Sequence, residues 1–151
     1  MDPKRASYKR FRGTYDAALV AIVAFLIALH VAALGVALGW PIRLERLVLP
    51  GAGLLLIVIG NILPRARQNW FFGIRTPWTL SSERVWERTH RVGGYLMIVL
   101  GAMLVVAGFM SEGWAKLVIV VAAPVILTLG TFGYSYFLWR HERDRPRGNN
   151  A

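Results

Sequence analysis

The chain has 151 residues, 56% of them hydrophobic and 17% charged, with a net charge of +10 and no cysteine. Such an apolar share is too large for a water-soluble domain of this length, and the lack of cysteine excludes a disulfide framework, a thiolate metal site and a cysteine nucleophile. The basic excess invites nucleic acid. The cations sit beside apolar blocks, however, where they set orientation and meet anionic lipid head groups, so membrane lipids are the expected partners and direct nucleic-acid binding is not expected.

Residues 1–14 form a basic N-terminal tail. A bilayer core of about 30 Å takes roughly 20 apolar residues per helix, and four segments supply them within a single domain, 15–139. The first, 15–39, carries Asp16 near its entry and His30 deep inside, and it closes on Trp40 and Pro41. The apolar block is too long for a signal-peptide core and lacks a small-residue cleavage site, so it reads as a retained helix. The second span, 47–63, has Pro50 in its first turn and Asn61 near its end. The third, 92–110, opens with Gly93 and Gly94 and continues through Gly101 and Gly108, residues that let helix backbones approach closely inside a membrane. The fourth, 114–139, is interrupted by Pro124, where a kink is expected. It carries Thr128, Thr131, Tyr134, Ser135 and Tyr136, hydroxyls that helix carbonyls alone can satisfy. A charged tail follows at 140–151.

Counting cations on alternate sides gives the orientation. The N-terminal tail has five (Lys4, Arg5, Lys9, Arg10, Arg12), the loop between spans two and three has six (Arg65, Arg67, Arg75, Arg84, Arg88, Arg91) and the C-terminal tail has four (Arg140, Arg143, Arg145, Arg147). Against these fifteen stand three, Arg43, Arg46 and Lys116. Both termini and the loop are therefore expected in the cytoplasm. The fold class that follows is an all-α integral membrane protein of four transmembrane helices, with a structured aromatic and arginine-rich cytoplasmic loop between helices two and three.

That loop, 64–91, is where specific work is expected. Pro64 ends the second helix by disfavouring a helical Leu63, and Gly73 and Pro77 mark further turns. Trp70, Phe71, Phe72, Trp78 and Trp86 are too many aromatics for a freely solvated connector, so the loop should fold back onto the helix ends at the membrane boundary. Thr76 is pushed toward an extended conformation by Pro77. Thr79 or Ser81 can cap a following helix, with Glu83 in its first turn and Val85, Trp86, Thr89 and Gly93 at helical spacing. Glu87 and Arg91 are four apart on that helix and suited to pair. Arg75 and Arg91 either pair with lipid or grip a phosphate or peptide carboxylate through bidentate hydrogen bonds. Asn61 either caps and packs or contacts a ligand.

Evidence for catalysis is thin. His90 is suited to act as a base or ligand, yet no HExxH, paired histidines or carboxylate cluster accompanies it. Nor is there a nucleophile elbow, phosphate loop or dinucleotide fingerprint, so no catalytic residue, metal or cofactor is assigned. Binding is the expected mode of action. Two alternatives are a small transporter using His30, Asn61 and the polar half of the fourth span, and a lipid-modifying enzyme using His90 and the arginines.

The run Gly60-Asn61-x-Leu63-Pro64, then Asn69-x-Phe71-x-Gly73-Ile74-Arg75-Thr76-Pro77-Trp78-Thr79-Leu80, then Val85-Trp86-x-x-Thr89-His90-Arg91-x-x-Gly94, resembles the SdpI family of membrane immunity proteins. The resemblance covers about 60–94 closely and the flanking helices by hydropathy. It implies a multi-pass protein of the bacterial cytoplasmic membrane that confers immunity to a membrane-active peptide toxin or signals its presence. A peptide toxin and a cytoplasmic regulator are the implied partners. The implied binding residues are Asn61, Pro64, Asn69, Phe71, Gly73, Arg75, Thr76, Pro77, Trp78, Thr79, Trp86, Thr89, His90 and Arg91. The four spans are fewer than expected of longer family members.

Overall fold

The computed structural model describes residues 5–70 and 72–143; Phe71, the start of the N-terminal tail at 1–4 and the tail beyond 143 lie outside the described residues. Among the described residues five α-helices follow in order: α1 (Arg5–Ala37), α2 (Glu45–Ile62), α3 (Pro77–Ser81), α4 (Glu83–Phe109) and α5 (Trp114–Arg143), with a 3-10 turn at Leu63–Arg65. Four stretches among them are long and apolar enough to cross a membrane: Gly13–Ala37, Arg46–Arg65, Glu83–Phe109 and Trp114–Glu142. Large apolar side chains such as Val20, Val106 and Leu129 stand exposed along them. Water would penalise that surface by about 25 cal/mol per Å², whereas lipid tails would not.

Helix ends have local causes. α1 stops because Gly39 adopts φ +83°, and the Gly39 and Trp40 amides return to the carbonyls of Val36 (3.0 Å) and Gly35 (2.9 Å). This Schellman closure ends the helix at Ala37, before the Trp40-Pro41 pair can. Helical structure begins within the residues read as a tail, at Arg5, and α5 continues through Pro124 and on to Arg143. The cap of α4 is Ser82, whose hydroxyl accepts from the Val85 amide (3.3 Å), in place of the expected Thr79 or Ser81. Thr79 is engaged elsewhere. Because α4 starts at Glu83, the stretch 83–91 is the beginning of the same helix that crosses the apolar region.

The helices pack as a row, α1 on α2, α2 on α4, and α4 on α5. α2 and α4 meet most closely. A Cβ added to Gly60 would lie 2.6 Å from the carbonyl oxygen of Gly94, and one on Gly101 would lie 2.6 Å from that of Gly53. Positions 53 and 60 thus run against 101 and 94, antiparallel, and the Pro50 ring occupies the hollow left by Gly108. Pro50 lies inside α2, just beyond the first turn of a helix that begins at Glu45. Without a hydrophobic gain between helices in lipid, such close backbone contact is what holds a pair together. Beside it, Leu100, Leu104 and Ala123 form the core where α2, α4 and α5 meet, with Leu56, Leu96 and Leu127 packed around them.

Candidate functional site

The connection from Ala66 to Ser81 folds back as a cap over the ends of α2, α4 and α5, and Trp86 is its centre. Its indole is fully buried and donates from Nε1 to the Ala66 carbonyl at 2.8 Å. It also stacks on His90, one turn along α4, with ring centroids 4.0 Å apart. His90 is fully buried as well. Its Nδ1–H donates to the Trp86 carbonyl (2.8 Å), since a carbonyl can only accept, and its Nε2 accepts from the Ile74 amide (3.0 Å). The ring is thus the neutral Nδ1–H tautomer with both nitrogens engaged, leaving neither for a ligand or an abstracted proton.

Gly73 makes this possible. It sits at φ +117°, and a Cβ there would run into His90 Nε2. Only glycine allows the chain to turn so near the imidazole. Gly93 does likewise on α4, just beyond His90, where a Cβ would collide with Ile74 Cδ1.

Thr76 and Thr79 form a reciprocal capping box on α3: the Thr79 amide donates to Thr76 Oγ1 (3.2 Å) and the Thr76 amide to Thr79 Oγ1 (2.9 Å). The Thr79 hydroxyl donates in turn to the Ile74 carbonyl (2.8 Å). Thr76 Oγ1 donates to Ser135 Oγ (3.1 Å), which donates to the Phe132 carbonyl (2.8 Å), so this network ties the cap to α5. Trp78 adds two edge-to-face contacts on the same helix, with Phe132 (4.9 Å) and Tyr136 (5.1 Å). On the other side, Asn69 pins the turn after it by accepting from the Phe72 amide (2.7 Å) and donating to the Arg67 carbonyl (2.8 Å).

The site residues expected from sequence therefore divide. Gly73, Thr76, Trp78, Thr79, Trp86 and His90 are brought together in one hydrogen-bonded and packed unit, and Asn69 holds the turn that precedes it. Thr89 is fully buried beside it, and its hydroxyl has no hydrogen-bond partner among the described residues. Asn61, Pro64, Arg75, Pro77 and Arg91 are exposed; Arg75 donates to the Trp70 carbonyl from the outer surface. Phe71 lies outside the described residues. Ion pairs at this end are Arg67 with Glu83 (4.0 Å) and Arg84 with Glu142 (3.6 Å), and Glu87–Arg91 is not among them. Among the described residues no group of three His, Asp or Glu is placed to hold a metal.

Three contributors were not picked out from sequence as site residues. Gln68 donates from Nε2 to the carbonyls of Thr79 and Leu80 (2.8 Å each), satisfying the end of α3. Ser135 is fully buried under Thr76. Glu142 accepts from the Ser82 hydroxyl (2.5 Å) and joins the start of α4 to the end of α5. The spacing of Phe132, Ser135, Tyr136 and Trp139 on one face of α5 was the available signal.

Comparison with known proteins gives a consistent picture. A family model described as the SdpI/YfhL protein family matches residues 65–135, from the cap through most of α5. The chain is 31% identical over 113 residues, 74% of its length, to the Immunity protein SdpI of Bacillus subtilis (strain 168). It spans about half of that relative, 55% of whose length is aligned. No solved structure matches.

Proposed function

The chain belongs to the SdpI family, and from that premise we propose that it is a multi-pass membrane protein conferring immunity to, or signalling the presence of, a membrane-active peptide toxin, by binding rather than catalysis. The observation that carries the reading is the state of the family-signature residues. Trp86, His90, Thr76 and Thr79 spend their polar atoms on one another, on Ser135 and on backbone, as a recognition scaffold requires and a catalytic cleft does not. The distribution of cations supports a cytoplasmic cap. A toxin arriving from outside would then meet the cap only after entering the bilayer, which favours sensing within the membrane, or recruitment of a cytoplasmic regulator, over capture by an exposed trap. The candidate contact surface is what the cap leaves outward: Arg75, Pro77, Arg91 and the open side of Trp78.

Translocation finds less support, because Thr131 and Ser135 donate to carbonyls of their own helix. The test is survival of toxin-sensitive cells expressing the chain. Expression should raise survival, and Arg75→Ala, an exposed change with the cap intact, should lower it about tenfold, the scale of losing ~1.4 kcal/mol of binding. Trp78→Ala should do the same while membrane insertion persists. Full protection by both variants would remove the cap from the function.

A further inference from the structure

The same end of the molecule holds a concave feature beside the cap. A cleft between α4 and α5 is lined by Arg84, Val85, Arg88, Leu138, His141 and Glu142. Positions 84 and 88 lie one turn apart on α4, and 138, 141 and 142 lie three and four apart on α5, so two facing stripes make its walls.

Its charges do not cancel. Glu142 is held by the Ser82 hydroxyl and by Arg84 Nε. Arg88 is exposed and makes no ion pair among the described residues, so the two arginines outnumber the one carboxylate of the cleft. His141 is fixed as a wall, its Nδ1–H donating to the Phe137 carbonyl (2.9 Å) and its ring leaning on Phe137 (4.0 Å between centroids). Depth follows from the aromatics below. Trp78, Tyr136 and Trp139 form a connected group, with centroids 5.1 and 6.2 Å apart, of the kind that settles at the membrane–water boundary. His141 is two residues beyond Trp139, roughly 3 Å along the helix. The cleft therefore opens at head-group depth.

We propose that this cleft binds the phosphate of an anionic phospholipid, with Arg88 and the free edge of Arg84 as the phosphate ligands. A planar guanidinium fork suits that geometry better than a point charge does, and the apolar surface of Val85 and Leu138 suits the lipid below its phosphate. The inference stands apart from toxin binding, since its readout contains no toxin.

The test is native mass spectrometry of the full chain in micelles doped with equal phosphatidylglycerol and phosphatidylcholine. Phosphatidylglycerol should be retained in preference, and Arg88→Gln should cut that retention roughly fivefold, the scale of one cation at a membrane surface. Arg65→Gln, an exposed arginine outside the cleft, should leave it unchanged, and inorganic phosphate at the lipid's concentration should not displace the lipid. Equal retention of both lipids, an unaltered Arg88→Gln variant or an equal loss in Arg65→Gln would overturn the proposal. Complete displacement by inorganic phosphate would reassign the cleft to a free anion and overturn the lipid claim. Arg88 has no ion pair among the described residues to break, so its loss does not confound folding with binding.

Discussion

Trp86→Ala is expected to release the cap and to cost about 3–5 kcal/mol, the range for truncating a large buried aromatic. Three contributions vanish together. The cavity sits under the connection, and no other fully buried side chain among the described residues is larger. The Ala66 carbonyl loses its donor, and His90 loses the ring it stacks on. Trp86→Phe separates these terms: it keeps most of the apolar contact but leaves the Ala66 carbonyl unpaired, for about 1–3 kcal/mol. Limited trypsin digestion in micelles is a direct readout, since Arg67 and Arg75 are exposed in sequence stretches held down by the cap. The wild-type connection should resist cleavage under conditions where Trp86→Ala is cut there. Equal resistance would mean that the indole is not what fastens it.

The second large effect is expected at the α2–α4 seam. In Gly101→Val the new Cβ meets the Gly53 carbonyl oxygen at 2.6 Å and Ile57 Cγ1 at 2.9 Å, whereas ordinary contact begins near 3.4 Å. A backbone carbonyl cannot rotate away as a side chain does, so the helices must separate. The cost should reach or exceed the upper end of the roughly 1–3 kcal/mol typical of overpacking. Separation at 101 also loosens Gly60 against Gly94, immediately below the cap, so fastening of the cap should weaken with it. The built-in control is Gly133→Ala on α5, where nothing lies within 4 Å of an added Cβ. Thermal unfolding in mild detergent should show a large loss for Gly101→Val and none for Gly133→Ala. Similar behaviour of the two would refute the seam.

Much of this architecture is legible in the sequence because lipid imposes simple rules. Apolar run length finds the four long helices, and Gly94, Gly101 and Gly108 at seven-residue intervals announce a close-packed stripe. The helix ends are less legible. α1 ends on a left-handed Gly39 that hydropathy does not register, and although a helix with Glu83 in its first turn is expected, its continuation without a break into the third span is not, because the charged residues at 84, 87 and 88 hide that continuity from an apolar run. The family signature marked the cap residues, and aromatic content suggested that they fold back. Their partners were not legible, since the bonds from Ile74 to His90 and from Trp86 to Ala66 join backbone groups 16 and 20 residues away, and a backbone group carries no sequence signal. Ser135 and Glu142 stayed hidden for a related reason: each looks like an ordinary polar residue of α5 until Thr76 or Ser82 is placed against it.

The connection is a docked cap whose keystone is His90, and exchange of the Ile74 amide reports on that docking. Amide hydrogen exchange of the full chain in lipid nanodiscs should find Ile74 and Thr79 strongly protected, because their N–H groups are held by His90 Nε2 and Thr76 Oγ1. In His90→Ala the protection at Ile74 should fall by orders of magnitude while the Gly101 region of α4 stays protected. Exchange of Ile74 and Thr79 at the rate of a free loop in the wild-type protein would mean that the connection is not docked.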